Sequence, residues 1–216
     1  MFPWLWRANT CTLSDSHLLA IDPGNALLKS WFTKHAARPG RKLVIDISGK
    51  TGQTAKFLAS EFSGLTFEVR DSSAALLDRG KAAMPSSLAD RISFREHKLF
   101  DSQGNPTELT RVDEPVLAYL VNHVLWSLSD DDCIKFVQSS LIPALEASPG
   151  AALLINELLS PPSKGGTGSD ELHREQQFRR RDVTVMTMHN AKMRTEEDWR
   201  EIFARASPLI EVSRPA

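Results

Sequence analysis

The residues best suited to chemistry follow a short apolar run, Leu-Val-Ile-Asp-Ile, that begins at Leu43. Asp46 lies inside this run, and Gly49 and Gly52 follow it in a turn that leads into an amphipathic stretch. A parallel strand that ends in a glycine-rich turn presents free backbone N–H groups at the start of the next helix, where a carboxylate or phosphate group of a ligand can bind. The pattern predicts a nucleotide-type cofactor site at this turn.

Three types of nucleotide site compete for the turn. A P-loop requires a glycine five residues before Gly49, where Val44 stands inside the apolar run, so the spacing excludes an ATPase. A dinucleotide fingerprint that starts at Gly49 places Thr51 where a second glycine is needed, which weakens the NAD interpretation. The third pattern, D-x-G-G-x-x-G, is typical of methyl-donor sites and matches residues 46–52 with Ser48 in place of the first glycine.

A second acid supports a cofactor that contains adenosine. Asp71 directly follows the second predicted strand, 25 residues after Asp46. At this spacing a carboxylate reaches the ribose hydroxyls of an adenosine ligand that lies across the strand ends. The alternative for Asp71 is a helix N-cap for residues 72–84, which would contribute roughly 1 kcal/mol. The alternative for Asp46 is an ordinary hydrogen-bonded acid at a strand end.

Apolar runs alternate with helical patterns along the chain, which predicts crossover connections and a parallel sheet of the α/β class. Strands are predicted at residues 42–47, 66–70, 92–95, 115–121, 151–157 and 209–213. Helices are predicted at residues 51–62, 130–145, 170–182 and 195–206. Residues 160–169 are predicted to form a flexible surface loop, because serine, proline and glycine dominate them.

Length, composition and charge restrict the class of protein. The 216 residues, 41% hydrophobic and 25% charged, suffice for one buried core. A formal net charge of -1 provides no basic surface for a nucleic acid or an anionic membrane, and the segment MFPWLW before Arg7 is too short to span a bilayer. Cys11 and Cys133 lack the spacing of a zinc site, so no metal is expected. We expect a small-molecule partner and a cytoplasmic location.

Six segments, in order, resemble the methyltransferase domain of the fungal and plant O-methyltransferases that use S-adenosyl-L-methionine. They read LVIDISGKTG, VRDSS, RISFREHKLF, YLVNHVLWSLSDDDC, ALLINELL and MRTEEDWREIFARA. The resemblance implies a class I methyltransferase fold over residues 41–216, a Rossmann-like parallel sheet flanked by helices. It also implies S-adenosylmethionine as the cofactor and in-line transfer of the sulfonium methyl group to a phenolic or enolic hydroxyl, which a histidine deprotonates.

Both ends of the chain depart from the family. Residues 1–40 are too few for the family's N-terminal dimerisation domain, so a family-type homodimer is not expected. The chain stops just after the predicted strand at 209–213, so we expect the C-terminal part of the sheet to be incomplete. The two truncations predict a degenerate paralogue or an incomplete gene model.

The resemblance assigns cofactor binding to Asp46, Gly49, Gly52, Asp71 and Lys98. Lys98 stands where the family has an acid that contacts the adenine ring, and Ser48 replaces the first glycine of the turn. Trp126 occupies the position of the base histidine, so no imidazole is available there.

The missing base weakens methyl transfer without forbidding it. General-base help contributes about 10²–10⁴-fold, whereas positioning the acceptor contributes about 7–11 kcal/mol. His123 replaces the base if residues 123–126 are helical, because positions i and i+3 share a helix face, whereas an extended segment points the two side chains apart. Otherwise His123 is a structural residue. Glu157 flanks the site or is an ordinary strand-end acid, and Trp126 is core or an aromatic wall for a flat polyketide-like ligand.

Two functions stay open. The first is an O-methyltransferase that acts on a phenolic or enolic secondary metabolite and favours acidic hydroxyls. The second is a methyltransferase-fold protein that no longer transfers methyl groups and acts as a binding scaffold, a rearrangement catalyst or a partner subunit. Trp126 counts against the first function, whereas Asp71 and the glycine turn count against loss of the cofactor.

Overall fold

A parallel sheet organises the molecule. The computed structural model describes residues 5–6, 23–37, 39–40, 42–109, 112, 114–157, 169–208 and 210. Its strands are β1 Leu5–Trp6, β2 Leu43–Ile47, β3 Thr66–Asp71, β4 Ile92–Glu96, β5 Val116–Asn122 and β6 Ala152–Asn156. They lie in the order β4-β3-β2-β5-β6-β1, and every pairing is parallel. The predicted α/β class is therefore confirmed, and β1 is an additional strand that the sequence pattern did not indicate.

The helices are α1 Pro23–His35, α2 Gln53–Glu61, α3 Ala74–Ala82, α4 Asp130–Phe136, α5 Ile142–Ala147, α6 Ser169–His189 and α7 Glu196–Ala206. A π-helical stretch, Val137–Leu141, joins α4 to α5 within the segment that was predicted as one helix. Helix α6 extends seven residues beyond its predicted end at 182 and begins inside the predicted loop. The strand predicted at 209–213 lies outside the described residues, apart from Ile210. Among the described helices, none is long and apolar enough to cross a membrane.

Apolar layers cover both faces of the sheet. Helices α1, α2 and α3 pack on one face, where Phe32 and Leu58 are fully buried. Helices α4, α5 and α7 pack on the other face, where Phe136 and Phe203 are buried. All five residues of β2 are buried, which explains the unbroken apolar run that begins at Leu43, because a central parallel strand is covered on both sides.

The strand order fixes the place of the site. The order reverses at β2, which pairs with β3 on one side and with β5 on the other. In open α/β sheets a ligand crevice forms at the carboxyl ends of the strands next to such a reversal. The turn after β2, the end of β3 and the segments that follow β5 and β6 all lie at this edge.

Candidate active site

The turn after β2, residues 48–52, is called the cofactor turn below. Ser48, Lys50 and Gly52 all have positive φ, at 57°, 55° and 72°. The N–H of Gly49 donates to the carbonyl of Arg70 (3.0 Å), and the N–H of Gly52 donates to the carbonyl of Gly49 (2.8 Å). The alternating backbone therefore folds tightly against β3 and leads directly into the first turn of α2.

Gly49 packs on the side chain of Asp46. A Cβ atom at position 49 would lie 2.6 Å from Asp46 Oδ2 and 2.8 Å from Val69 Cγ1, so no other residue fits. Asp46 is buried, and within the described residues neither of its carboxylate oxygens has a hydrogen-bond partner. Burial, reinforced by the charge of Asp71, raises the pKa of Asp46 to about 7. The alternative of an ordinary hydrogen-bonded acid is therefore wrong for Asp46.

Asp71 connects the cofactor turn to the start of α3. Its Oδ2 accepts the N–H of Lys50 (3.0 Å), and its Oδ1 accepts the N–H of Ser73 (2.9 Å). The N-cap of α3 is Ser73, whose hydroxyl accepts the N–H of Leu76, so the N-cap alternative for Asp71 is wrong. Each carboxylate oxygen retains a second lone pair beside the turn.

The segment after β4 lies beside Asp71. The N–H of His97 donates to the carbonyl of Asp71 (2.9 Å), and the next residue, Lys98, is exposed. The Lys98 carbonyl accepts the hydroxyl of Thr107. Burial and the nearby Arg70 lower the pKa of His97. Sequence reasoning missed His97, although it directly precedes the position assigned to adenine contact.

Residues 123–129, called the post-β5 turn below, form the other side of the site. His123 has φ 54°, its N–H donates to the carbonyl of Asn156 (2.9 Å), and its own carbonyl accepts Nε1–H of Trp126 (3.0 Å). Trp126 belongs to a 3-10 helix, Leu125–Ser127, which begins after His123. The two side chains therefore share neither a helix face nor an extended segment, and both predicted arrangements are wrong.

Glu157 accepts hydrogen bonds from the backbone of the post-β5 turn. Its side chain is buried, and Oε1 accepts the N–H groups of Val124 (2.8 Å) and Leu125 (2.6 Å). Burial raises the pKa of Glu157 to about 7, and the nearby charge of His123 opposes this rise. Glu157 is therefore an internal anchor and differs from an ordinary acid at a strand end.

The ring of Trp126 contacts the end of α6. It is half-buried and lies edge-on to His189, with ring centroids 4.8 Å apart. Val185, Ala191 and Met193 complete the small apolar cluster on which it packs. The core interpretation of Trp126 is therefore supported by its contacts.

Arg194 is a site-supporting residue that sequence reasoning did not single out. It is buried, and its guanidinium donates to Asp130 Oδ1 (2.8 Å) and to the carbonyls of Leu125 (3.0 Å) and Leu128 (2.6 Å). It also lies over the Trp199 ring, 4.7 Å from the centroid. The only signal in the sequence was its place in the segment MRT, directly before the capped start of α7.

Two asparagines join the two sides of the site. Asn122 Nδ2 donates to Thr54 Oγ1 in α2 (3.0 Å), and Asn156 Nδ2 donates to Asn122 Oδ1 (2.7 Å). These bonds link the start of α2, which follows the cofactor turn, to the ends of β5 and β6. The described residues contain no group of His, Cys, Asp and Glu side chains arranged to hold a metal ion.

Comparisons with known proteins agree with this geometry. A family model described as an O-methyltransferase domain matches residues 29–207. The O-methyltransferase phnC of Penicillium herquei is 36% identical over 194 residues, which cover 89% of this chain and 44% of phnC. The chain thus spans less than half the length of this relative.

Solved structures show the same fold. Human N-acetylserotonin methyltransferase in complex with SAM has a TM-score of 0.61 at 17% identity, and the match covers 85% of this chain and 45% of that protein. A protein described as a pericyclic reaction enzyme has a TM-score of 0.58 at 20% identity, with 89% of this chain and 44% of that protein covered. The class I methyltransferase fold predicted from the sequence is confirmed.

Proposed function

The chain belongs to the O-methyltransferase family, and we propose on this basis that it binds S-adenosylmethionine at the cofactor turn and methylates a phenolic or enolic hydroxyl of a secondary metabolite. The observation that carries the proposal is the Asp71 carboxylate, which lies against the cofactor turn through Lys50 N–H. A carboxylate at the end of the second strand of this fold is suited to bind ribose hydroxyls.

The residues of the turn fit this cofactor. Asp46 is a buried carboxylate without a hydrogen-bond partner in the described part of the chain, which suits a positively charged ligand nearby. Gly49 keeps the backbone free of a side chain where Asp46 and Val69 leave no room. When bound, S-adenosylmethionine supplies an electrophilic methyl group on a sulfonium. The protein's part is to orient it with Asp71 and the turn, and to place the acceptor near the post-β5 turn.

A second candidate is a cofactor-binding protein that catalyses a rearrangement without methyl transfer. The contacts of Trp126 favour it, because the indole at the family's base position packs on α6 and leaves no imidazole there. The pericyclic reaction enzyme of the same fold offers a precedent for such a change of chemistry.

Calorimetry with S-adenosylhomocysteine tests the cofactor site. We expect the unmodified protein to bind and Asp71→Asn to bind about 10–100-fold more weakly, because a hydrogen bond to a charged group contributes about 1.5–3 kcal/mol. Asp78→Asn, on the exposed surface of α3, is the matched control and should bind normally. Absence of binding in the unmodified protein, or equal binding by Asp71→Asn, contradicts the proposal.

Methyl transfer from S-adenosylmethionine to a panel of phenols separates the two candidates. Product formation supports the methyltransferase, and cofactor binding without any product supports the second candidate. The acceptor class, the cytoplasmic location and the roles of Lys98 and Gly52 stay predictions from the sequence.

A further inference from the structure

We propose that His123 is the catalytic base of this protein, placed by Trp126 and supported by the charge of Glu157. The inference rests on the proposed methyl transfer. It assigns the proton acceptor to a residue three positions before the one the family uses.

The backbone of His123 is strained and held on both sides. A positive φ is unfavourable for a residue other than glycine, and His123 has φ 54°. Its N–H is fixed by the Asn156 carbonyl and its carbonyl by the Trp126 indole. Such residues persist where the surrounding structure over-determines them, and they concentrate at functional sites. His123 lies at the carboxyl end of β5, where the acceptor must meet the cofactor.

Trp126 explains how the family histidine is replaced without loss of a base. Trp126 stands where the family has its histidine, and its indole donates the hydrogen bond that fixes the carbonyl of His123. Its ring is anchored by Val185 and His189 of α6, so the donor is held in place. The two residues therefore act as one unit, in which the Trp126 indole fixes the position of His123 and the imidazole of His123 takes the proton.

Glu157 provides the counter-charge. Oε1 accepts the two backbone N–H groups that follow His123, and the charge of His123 acts on the pKa of this carboxylate. Its charge stabilises the imidazolium that forms when His123 takes a proton. The other ionisable groups around this carboxylate are Arg194 before α7 and Cys133 in α4, and Arg194 is itself paired with Asp130.

The proposed step balances. The proton of the acceptor hydroxyl moves to a ring nitrogen of His123, and the oxygen keeps the electron pair of its O–H bond. That oxygen forms a bond to the methyl carbon while the carbon–sulfur bond breaks. The electron pair of the carbon–sulfur bond stays on sulfur. The products are the methyl ether, neutral S-adenosylhomocysteine and an imidazolium that later releases its proton to solvent.

NMR titration of the histidine rings tests the pairing without a substrate. In protein saturated with S-adenosylhomocysteine, His123→Asn identifies the His123 signal by removing it, and asparagine tolerates the left-handed backbone. Glu157→Gln keeps an oxygen for the two N–H groups but removes the charge. We expect it to move the midpoint of the His123 titration to lower pH by about one unit or more. An unmoved midpoint overturns the inference.

Methyl-transfer rates test the chemistry. We expect His123→Asn to lower the rate about 10²–10⁴-fold with phenol, and far less with para-nitrophenol, which is already ionised at mildly alkaline pH. His123→Gly should show the same pattern without loss of folding stability, because glycine adopts a positive φ without strain. Trp126→Phe should lower kcat while the Kd for S-adenosylhomocysteine stays constant. Equal losses across the panel, or no loss, contradict a base at position 123.

The two proposals fail in different ways. If the unmodified protein does not bind S-adenosylhomocysteine, the proposed function itself is wrong. If it binds the cofactor but methylates no member of the panel, the proposed methyl transfer is wrong and the second candidate is supported. If it methylates the panel, and does so equally well without His123, only the assignment of His123 is wrong.

Discussion

The site has a cofactor side, formed by the cofactor turn with Asp46 and Asp71, and an acceptor side, formed by the post-β5 turn with Glu157. Each side contains a buried acid, and the two acids differ in their hydrogen bonds and in the charges near them. The pKa of Asp46 and that of Glu157 are both raised to about 7 by burial. Glu157 accepts two backbone N–H groups and has His123 nearby, whereas Asp46 lies near a second acid, Asp71, and has no hydrogen-bond partner in the described residues. The acceptor side therefore carries its own counter-charge, whereas the influences on the pKa of Asp46 are burial and the acid Asp71, with no cation among them.

The two sides also differ in how much room they leave for another side chain. On the cofactor side, Gly49 has no room to change because Asp46 and Val69 fill the space around it. On the acceptor side, Trp126 packs on Val185 of α6 and stays half-buried. Steric closure therefore restricts position 49, whereas the half-buried Trp126 is less confined.

The largest expected loss of stability comes from a substitution that disrupts only the acceptor side of the site. Arg194→Met leaves Asp130 and the carbonyls of Leu125 and Leu128 without their buried donor. We expect the free energy of unfolding to fall by about 2–4 kcal/mol, because the two carbonyls lose a charged donor at about 1–3 kcal/mol each. Asp130 contributes less, because it is partly exposed and keeps its ion pair with Lys192. Urea denaturation measures this loss.

A surface arginine supplies the control for this change. Arg205 pairs with Asp131 at the surface, and Arg205→Met should cost about 0–1 kcal/mol. The Arg194 variant should still bind S-adenosylhomocysteine in the absence of urea. Equal losses in the two variants, or loss of cofactor binding with Arg194→Met, would show that the two sides are not separable in this way.

Local signals made the cofactor side predictable. The run that ends at Ile47, the glycines that follow and the spacing to Asp71 all lie close together in the sequence, and each maps onto one strand end. The capped start of α7 was equally clear, and Thr195 and Asp198 form a capping box there.

The acceptor side depends on contacts between residues far apart in the chain. Arg194 reaches carbonyls more than 60 positions earlier, and Glu157 reaches N–H groups more than 30 positions earlier. The left-handed backbone of His123 is held by one such contact, its N–H with the Asn156 carbonyl, and by one local contact, its carbonyl with the Trp126 indole. Periodicity encodes neither of them. Helix α1 has no motif of its own, and its place on the sheet rests on buried residues such as Phe32.

The pH dependence of the free energy of unfolding tests the raised pKa of Asp46. The pKa of Asp46 is raised in the folded state from 3.8 to about 7. The folded protein therefore holds this proton more tightly than the unfolded chain. The stabilisation is complete below about pH 4 and is lost as the pH rises through about 7. The shift corresponds to at most roughly 4 kcal/mol.

Asp46→Asn removes this dependence. We expect the variant to lose less stability than the unmodified protein between mildly acidic and mildly alkaline pH, as measured by urea denaturation at each pH. Asp78→Asn, an exposed substitution, should follow the unmodified protein. Parallel curves for Asp46→Asn and the unmodified protein would contradict the raised pKa.

The smallest expected effect on stability comes from Gly49→Ala, which tests whether the cofactor turn has room for a side chain. Gly49→Ala places a Cβ atom 2.6 Å from Asp46 Oδ2 and 2.8 Å from Val69 Cγ1, both in buried side chains that cannot move away. Overpacking of this kind costs about 1–3 kcal/mol, and we expect calorimetry to show loss of S-adenosylhomocysteine binding as well. Gly64→Ala meets no atom within 4 Å and is the matched control. If Gly49→Ala binds the cofactor as well as Gly64→Ala does, the turn is more adaptable than its contacts indicate, and steric closure does not restrict position 49.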